Sequence, residues 1–309
     1  MIVYTSIDKI IPDRRVVVLG NFDGLHKGHR QLIANARVLA NELNAKLTVL
    51  TFHPQWQSIQ NPDFKYLLPQ NEKYTVLETL GADEVITLAC DETFSKITAN
   101  DFIEKILLET LSVCGVVVGF NYSFGFKASG TPVLLKEKMA PRGIAVHIEP
   151  PFEYENNIVS SSLIRKQIKA GNLLLANELL GYKYRLCGEV IHGAQNGRKM
   201  NFPTANIDYD TTLLLPAFGV YAAKAWLTRH PDISYNGVLN IGTRPTVDDS
   251  SKITIEIHLL DFNQDIYGED LCIEISHFLR HISKFKNLDE LKLTISNDAK
   301  NARKFFSKE

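Results

Sequence analysis

Eleven consecutive residues constrain this chain more than any others: Gly20-Asn21-Phe22-Asp23-Gly24-Leu25-His26-Lys27-Gly28-His29-Arg30. Ahead of them lies Val16-Val17-Val18-Leu19, a short apolar, β-branched run that reads as a buried strand. Behind them Leu32, Ile33, Ala36, Leu39, Ala40 and Leu43 fall on one face of a helix. The stretch is therefore a strand-to-helix turn. Gly20 and Gly24 permit a tight backbone, and the first turn of the helix offers unpaired N–H groups to an anion. His26 and His29 are three apart and project from the same side as the helix begins. Two imidazoles over a helix N-terminus, with Gly20, Asn21, Phe22 and Gly24 around the bend, suit a phosphate. Asp23 stands too early for a helical cap; it either holds the turn or helps with a metal.

Strands and helices alternate from Val16 to about Gly181. Strand patterns recur at 46–52, 84–89, 115–119 and 144–148, and helical ones at 72–80, 101–111 and 173–180. That alternation predicts an α/β unit with a mainly parallel sheet, whose ligands sit beyond the C-terminal strand ends. Three segments follow strands or open helices in that way. His53-Pro54 ends the second strand. Gly119-Phe120-Asn121-Tyr122-Ser123-Phe124-Gly125 follows the fourth, with glycines, an amide and aromatics suited to a flat ring or a ribose. Val159-Ser160-Ser161-Ser162-Leu163-Ile164-Arg165 begins a helix that Ser160 or Ser161 can cap, bringing hydroxyls, N–H groups and Arg165 toward an anion. Residues 55–65 lack periodicity and read as a flexible loop.

At 309 residues, two domains are the natural expectation, here 1–181 and 184–309. A net charge of -1 gives no support for wholesale binding to nucleic acid or an anionic membrane, and leaves room for a local basic pocket for phosphates. No apolar run reaches transmembrane length, and the first thirteen residues do not read as a signal peptide, so the expected location is the cytoplasm. Cys90, Cys114, Cys187 and Cys272 form no C-x-x-C pair and read as buried free thiols.

Beyond Tyr182–Arg185 the pattern changes. Runs at 186–192, 220–227, 236–241, 252–261 and 271–279 read as closely spaced strands, which suggests a small β-barrel. Leu288, Leu291, Ile295, Ala299, Ala302 and Phe306 give a final helix one apolar face to pack on it. In 252–257 the isoleucines at 253, 255 and 257 face one way, and Thr254, Glu256 and His258 the other. Gly188, Gly193, Gly197 and Arg198 make a glycine-rich, basic loop, which lacks the Lys-Ser/Thr ending of a Walker A loop.

The opening stretch closely resembles the GxFDGxHxGH motif of the FMN adenylyltransferase module of bacterial FAD synthetases. The Ser160–Arg165 segment is similar to that family's SSTxIR motif, with Ser162 for Thr. The Asn121 segment also has a counterpart, with Ser123 where the family usually has Arg, and Thr51-Phe52-His53-Pro54 is a reduced version of another. The second half resembles the riboflavin kinase family. It carries Pro203-Thr204-Ala205-Asn206, Gly219-Val220-Tyr221-Ala222, Asn240-Ile241-Gly242-Thr243-Arg244-Pro245-Thr246 and Glu256-x-His258-Leu259-Leu260-Asp261-Phe262 in order. Asn201 stands where that family more often has Gly.

The resemblance implies a Rossmann-like nucleotidyltransferase domain followed by a six-stranded antiparallel barrel with a terminal helix. It implies that riboflavin and ATP give FMN, and FMN and ATP give FAD. By resemblance the adenylyl transfer falls to His26, His29 and Arg165, with Ser161 and Ser162 on phosphate and Asn121, Phe124 and Gly125 on the flavin. The kinase step falls to Glu256 as base. Thr204 and Asn206 would hold Mg²⁺, Gly188, Gly193, Gly197 and Arg198 the ATP, and Asn240 and Arg244 the flavin. His258 either orients Glu256 or packs. An enzyme keeping only one activity is the alternative. A flavin-binding regulator without turnover would lack Glu256 or Thr204, and both are present. A tRNA synthetase-like enzyme would need a second Lys-rich signature, which is missing. The expected partners are small molecules, with neither nucleic acid nor membrane, and a homo-oligomer is left open.

Overall fold

The Val16–Leu19 run lies inside an all-parallel sheet. The computed structural model describes residues 1–53, 61–89, 91–193, 202–244 and 252–308. The first unit, Met1–Ser161, begins with β1 (Ile2–Tyr4), β2 (Arg15–Leu19), α1 (Lys27–Glu42) and β3 (Lys46–Phe52). It continues with α2 (Gln70–Thr79), β4 (Glu84–Leu88), the short α3 (Glu92–Ser95) and α4 (Ala99–Asp101). After a π-helical stretch, Phe102–Thr110, come β5 (Val113–Gly119), α5 (Pro132–Met139) and β6 (Ala145–Glu149). A two-stranded hairpin, β7 (Glu153–Tyr154) and β8 (Asn157–Ile158), closes the unit.

The sheet order is β1-β4-β3-β2-β5-β6. From β2 the chain steps outward through β3 to β4 and then returns to the other side of β2 with β5. The strand order therefore reverses between β2 and β5, and a crevice opens at their carboxyl ends. β2 is fully buried because its alternate side chains serve two cores. Val17 and Leu19 join the layer of Phe102, Ile103 and Leu107, while Val16 and Val18 join that of Leu32, Ile33 and Ala36 on α1. At the opposite end of the sheet Arg15 and Glu84, both 0% exposed, pair at 2.7 Å. Lys46 and the Thr48 hydroxyl also donate to the Glu84 carboxylate.

The second unit, Ser162–Glu309, takes in most of α6 (Ser161–Lys169) and all of α7 (Leu173–Leu180), which ends on left-handed Gly181. Its strands are β9 (Arg185–Ile191), β10 (Ala205–Tyr209), β11 (Gly219–Leu227), β12 (Tyr235–Arg244), β13 (Lys252–Leu259) and β14 (Asp270–Arg280). They close an antiparallel barrel in the order β10-β13-β12-β11-β14-β9. Helix α8 (Leu288–Phe306) lays Ala299, Ala302, Phe305 and Phe306 over Val220, Ala222 and Val238 outside the barrel. Arg280 grips Asp298 on that helix through Nε and Nη2.

Several expectations change. Residues 101–111 are a short α-turn running into a π-helix, whose wider winding still buries Phe102, Ile103, Ile106 and Leu107. β1, α5 and the β7–β8 hairpin lack a pattern of their own strong enough to mark them. The sixth barrel strand, β10, forms from the Ala205-Asn206 end of the tetrapeptide motif. Leu288, expected on the apolar face, is 65% exposed, because α8 packs only through its later turns. Cys187 and Cys272 are bonded to each other, not free. They are 85 residues apart but directly opposed on β9 and β14. Cys114 is free and half-buried, and Cys90 lies outside the described residues, as does most of 55–65. The compact units divide at Ser161/Ser162, so the helices before Gly181 group with the barrel, whereas the sequence pattern divides the chain at 181–184.

Breaking the Arg15–Glu84 pair strands a guanidinium inside the sheet. Replacing Glu84 by Ala is expected to cost about 3–5 kcal/mol, measured by urea unfolding.

Candidate functional site

The turn after β2 adopts backbone that L-residues seldom take: φ is +52° at Phe22, +79° at Gly24 and +39° at Leu25. Its neighbours hold it there. The Asn21 carbonyl accepts from Lys73 Nζ at 2.7 Å and from the Thr51 hydroxyl at 3.1 Å. Asp23 Oδ1 accepts the Leu67 N–H at 3.0 Å, and the Asp23 carbonyl accepts the Ser161 hydroxyl at 2.9 Å. Of the two roles open for Asp23, holding the turn is the one its geometry displays. Phe22 folds back over Gly20, where a Cβ would stand 2.8 Å from the ring.

His26 is the N-cap of α1: its Nδ1 accepts the His29 N–H at 3.3 Å. The two imidazoles stack with centroids 3.6 Å apart. Between them in sequence, Gly28 leaves room that a Cβ would take from Phe152, 3.2 Å away. Burial pushes the His26 pKa down to about 4. Burial, with the charges of His26 and Lys73, holds His29 well below the usual imidazole range. Both rings are therefore neutral at pH 7. His29 Nδ1 is buried and has no hydrogen-bond partner among the described residues.

A cavity of about 720 Å³ opens where the strand order reverses. The β2 turn supplies Gly20, Asn21, Phe22 and His29 to its lining, and the segment after β5 supplies Asn121, Ser123, Phe124 and Gly125. The two sequence-predicted clusters of the first half thus share one cavity. Tyr122 of the Asn121 segment also lines it, as the aromatics there lead one to expect, whereas sequence reasoning missed Phe52, Phe94, Ile97 and Lys127. Phe94 comes from the short helix after β4 and Ile97 from the link that follows it, neither of which carries a motif. Gly24 and His26 lie beneath the surface. His53 sits exposed at the end of β3 and is not part of the wall. Lys73, buried on α2, was also missed; its only sequence signal was a charge on the buried face of a helix. Ser161 begins α6 and spends its hydroxyl on Asp23, which leaves Ser160 as the residue ahead of the helix. Ser162 is exposed and Arg165 half-buried on the same helix.

In the barrel, strand register assembles what the sequence scattered. Asn206 on β10 stands opposite Glu256 on β13, and Glu256 stands opposite Asn240 on β12. Directly opposed residues share a face, so an amide, a carboxylate and an amide form one lateral row. The alternation holds: Ile255 and Ile257 are buried, Glu256 and His258 half-exposed. His258 Nδ1 bonds the Pro203 carbonyl at 2.7 Å and so anchors the tetrapeptide rather than Glu256. Thr204 borders a cavity of about 230 Å³, together with Pro203, Ala205 and 262–267. Gly193 lies against the Asn206 carboxamide, where a Cβ would collide with it. Gly188 stands within β9, where its missing Cβ admits the Asp208 carbonyl; its place is a strand, not a loop. Gly197, Arg198, Pro245 and Thr246 lie outside the described residues, as does the side chain of Arg244.

Known proteins match this arrangement along nearly its full length. The FAD synthetase family model matches residues 8–163, and the riboflavin kinase model residues 180–306. A bifunctional riboflavin kinase/FMN adenylyltransferase of Bacillus subtilis (strain 168) is 34% identical, covering 95% of this chain and 93% of the relative. The bifunctional enzyme of the same description from Haemophilus influenzae is 36% identical, covering 94% of each. A solved structure described as a macrolide-efflux protein from Streptococcus pneumoniae superposes with a TM-score of 0.88 at 31% identity, over 98% of both chains. Among the described residues here, no helix is long and apolar enough to cross a membrane. The chain belongs to the bifunctional riboflavin kinase/FMN adenylyltransferase family and is an enzyme with an FAD synthetase part and a riboflavin kinase part.

The buried imidazoles make the first unit sensitive to acid. His26 binds its proton near pH 6.5 when unfolded and only near 4 when folded. Stability is complete above about pH 6.5 and is lost as the pH falls to 4, by about 3 kcal/mol from His26 alone. Urea unfolding across that range checks it. H26N, whose amide can still accept the His29 N–H, is expected to flatten the slope.

Proposed function

We propose that the two parts of this enzyme divide FAD synthesis by residue as follows, with functional modules at 1–181 and 184–309. In the first, a phosphate oxygen of FMN attacks the α-phosphorus of ATP and pyrophosphate leaves. No covalent enzyme nucleophile is needed, so the protein's part is positioning and charge neutralisation. The neutral His29 ring donates to a phosphate oxygen from the cavity wall, and His26 fixes its backbone and stacks behind it. Gly20, Asn21, Phe22 and Gly24 shape the bend against the nucleotide. Asn121, Phe124 and Gly125 receive the flavin on the other wall. Ser161, Ser162 and Arg165 are assigned to phosphate on their motif alone. The observation that carries the reading is the single cavity at the strand-order reversal, lined by both motif segments.

In the second module Glu256 accepts the proton of the riboflavin 5′-hydroxyl as it attacks the γ-phosphate of ATP. Its place beside Asn206 and Asn240 supports this. Thr204 and Asn206 offer hard oxygens, a hydroxyl and an amide carbonyl, which suit a cation with few protein ligands. Mg²⁺, which keeps several waters and shares ATP phosphates, fits that donor set and would neutralise phosphate charge. Asn240 and Arg244 are assigned to the flavin, and Gly188, Gly193, Gly197 and Arg198 to the ATP side. A cytoplasmic location is part of the reading, supported by the use of ATP in both steps. A homo-oligomer is not required for either.

Purified protein with riboflavin, ATP and Mg²⁺ is expected to yield FMN and then FAD by chromatography. H29A is expected to stop FAD while sparing FMN. E256Q is expected to stop FMN from riboflavin while still converting supplied FMN to FAD. Loss of neither product in these variants would remove the residue assignment.

A further inference from the structure

Asn21 and His29 line the large cavity, and a buried charge lies behind them. Lys73 points from the buried face of α2 into the underside of the β2 turn. It is 5% exposed, and its hydrogen bonds go to two neutral oxygens, the Asn21 carbonyl and the Thr51 hydroxyl. A buried ammonium without a paired carboxylate is costly, and such groups persist where the charge has a use. The other buried cation among the described residues of this unit, Arg15, is paired with Glu84. The titratable groups that act on Lys73 are Asp23, across the turn, and His29, with His26 stacked behind it; β3 presents only Thr51.

We propose that Lys73 is a positioning residue for adenylyl transfer, holding the Asn21 carbonyl and supplying, behind two neutral imidazoles, the standing positive charge that draws the ATP phosphates onto the β2 turn. This rests on the assignment of that turn to ATP. Two observations meet in it. The turn carries positive φ at Phe22 and Leu25, so it needs outside bonds, and Lys73 makes the shorter of the two onto Asn21. Yet a neutral donor such as Thr51 would satisfy a carbonyl equally well. Asp23, across the turn, answers part of the Lys73 charge, and a phosphate bound above would answer the rest. Because Lys73 is itself buried, its charge is screened less than that of a surface lysine. Burial brings the Lys73 pKa down to about 8, against the pull of Asp23, so its charge is present at neutral pH and lost in mild alkali.

In the full-length enzyme, FMN formation by the barrel controls for the amount of active chain, and urea unfolding of each variant controls for the fold of the first unit. K73M is expected to lower kcat/KM for ATP in adenylyl transfer by about a hundredfold or more, mainly through KM, with riboflavin phosphorylation within twofold. Wild-type adenylyl transfer should decline above about pH 8. K73R, whose guanidinium keeps its proton, should retain most activity and lose that decline. FAD formation by K73M within threefold of wild type overturns the proposal. So does a K73R profile that still falls at the same pH, and that profile decides alone if K73M does not fold. Absence of FAD formation in the wild type at any pH would instead defeat the assignment of the turn to ATP.

Discussion

The first unit is built to keep six residues, Gly20 to Leu25, in a shape they would not hold alone. Two non-glycine residues with left-handed backbone cost of the order of 1–3 kcal/mol each, and they persist only where surroundings over-determine them. The surroundings here come from four separate places: β3 through Thr51, α2 through Lys73, the Leu67 segment through its N–H, and the start of α6 through Ser161. The sheet beneath is what makes those places fixed. Its lower end is locked by Arg15, Glu84, Lys46 and Thr48, and both faces are covered by apolar layers. The strained turn sits at the other end, where the strand order reverses and the carboxyl ends of β2 and β5 leave a cavity.

The electrostatics of the two units differ in kind. At the turn the imidazoles are neutral, because burial outweighs any gain from charging them, and they can offer a phosphate only hydrogen bonds and the end of a helix. In the barrel the polar groups are a carboxylate between two amides, aligned by strand register on the outer face. The first arrangement suits stabilising a phosphate through hydrogen bonds and the helix dipole. The second suits taking a proton from a hydroxyl. The distinction follows from how each fold presents side chains: a strand-to-helix turn exposes backbone N–H groups, whereas a barrel face exposes a grid of side chains with its main chain already paired.

Much of this was legible in the chain. Strong apolar periodicity marked β3 and α7 to the residue and most other strands to within a few. Local rules sufficed because each of those elements buries its own apolar pattern. The weak elements were not legible. β1 and β10 exist because a partner strand completes them, and the winding of 102–110 depends on packing against the sheet. Motif residues such as His29, Asn121 and Glu256 could be picked out by type and spacing. Phe94, Ile97 and Lys73 could not, because nothing in a helix pattern says that its buried face abuts a cavity or the underside of a turn.

By itself the sequence determined the strand-to-helix bend with its two histidines, the change from alternating helices and strands to a run of strands, and the identity of the groups that can do chemistry. Only the tertiary structure decided which of them meet. Register set Asn206, Glu256 and Asn240 in a row and set Cys187 against Cys272, eighty-five residues away. Sheet order brought the β2 turn and the Asn121 segment to one cavity, and burial chose the protonation of His26, His29 and Lys73. The reason is physical: periodicity and spacing are properties of neighbours along the chain, whereas cavities, registers and local dielectric are properties of neighbours in space.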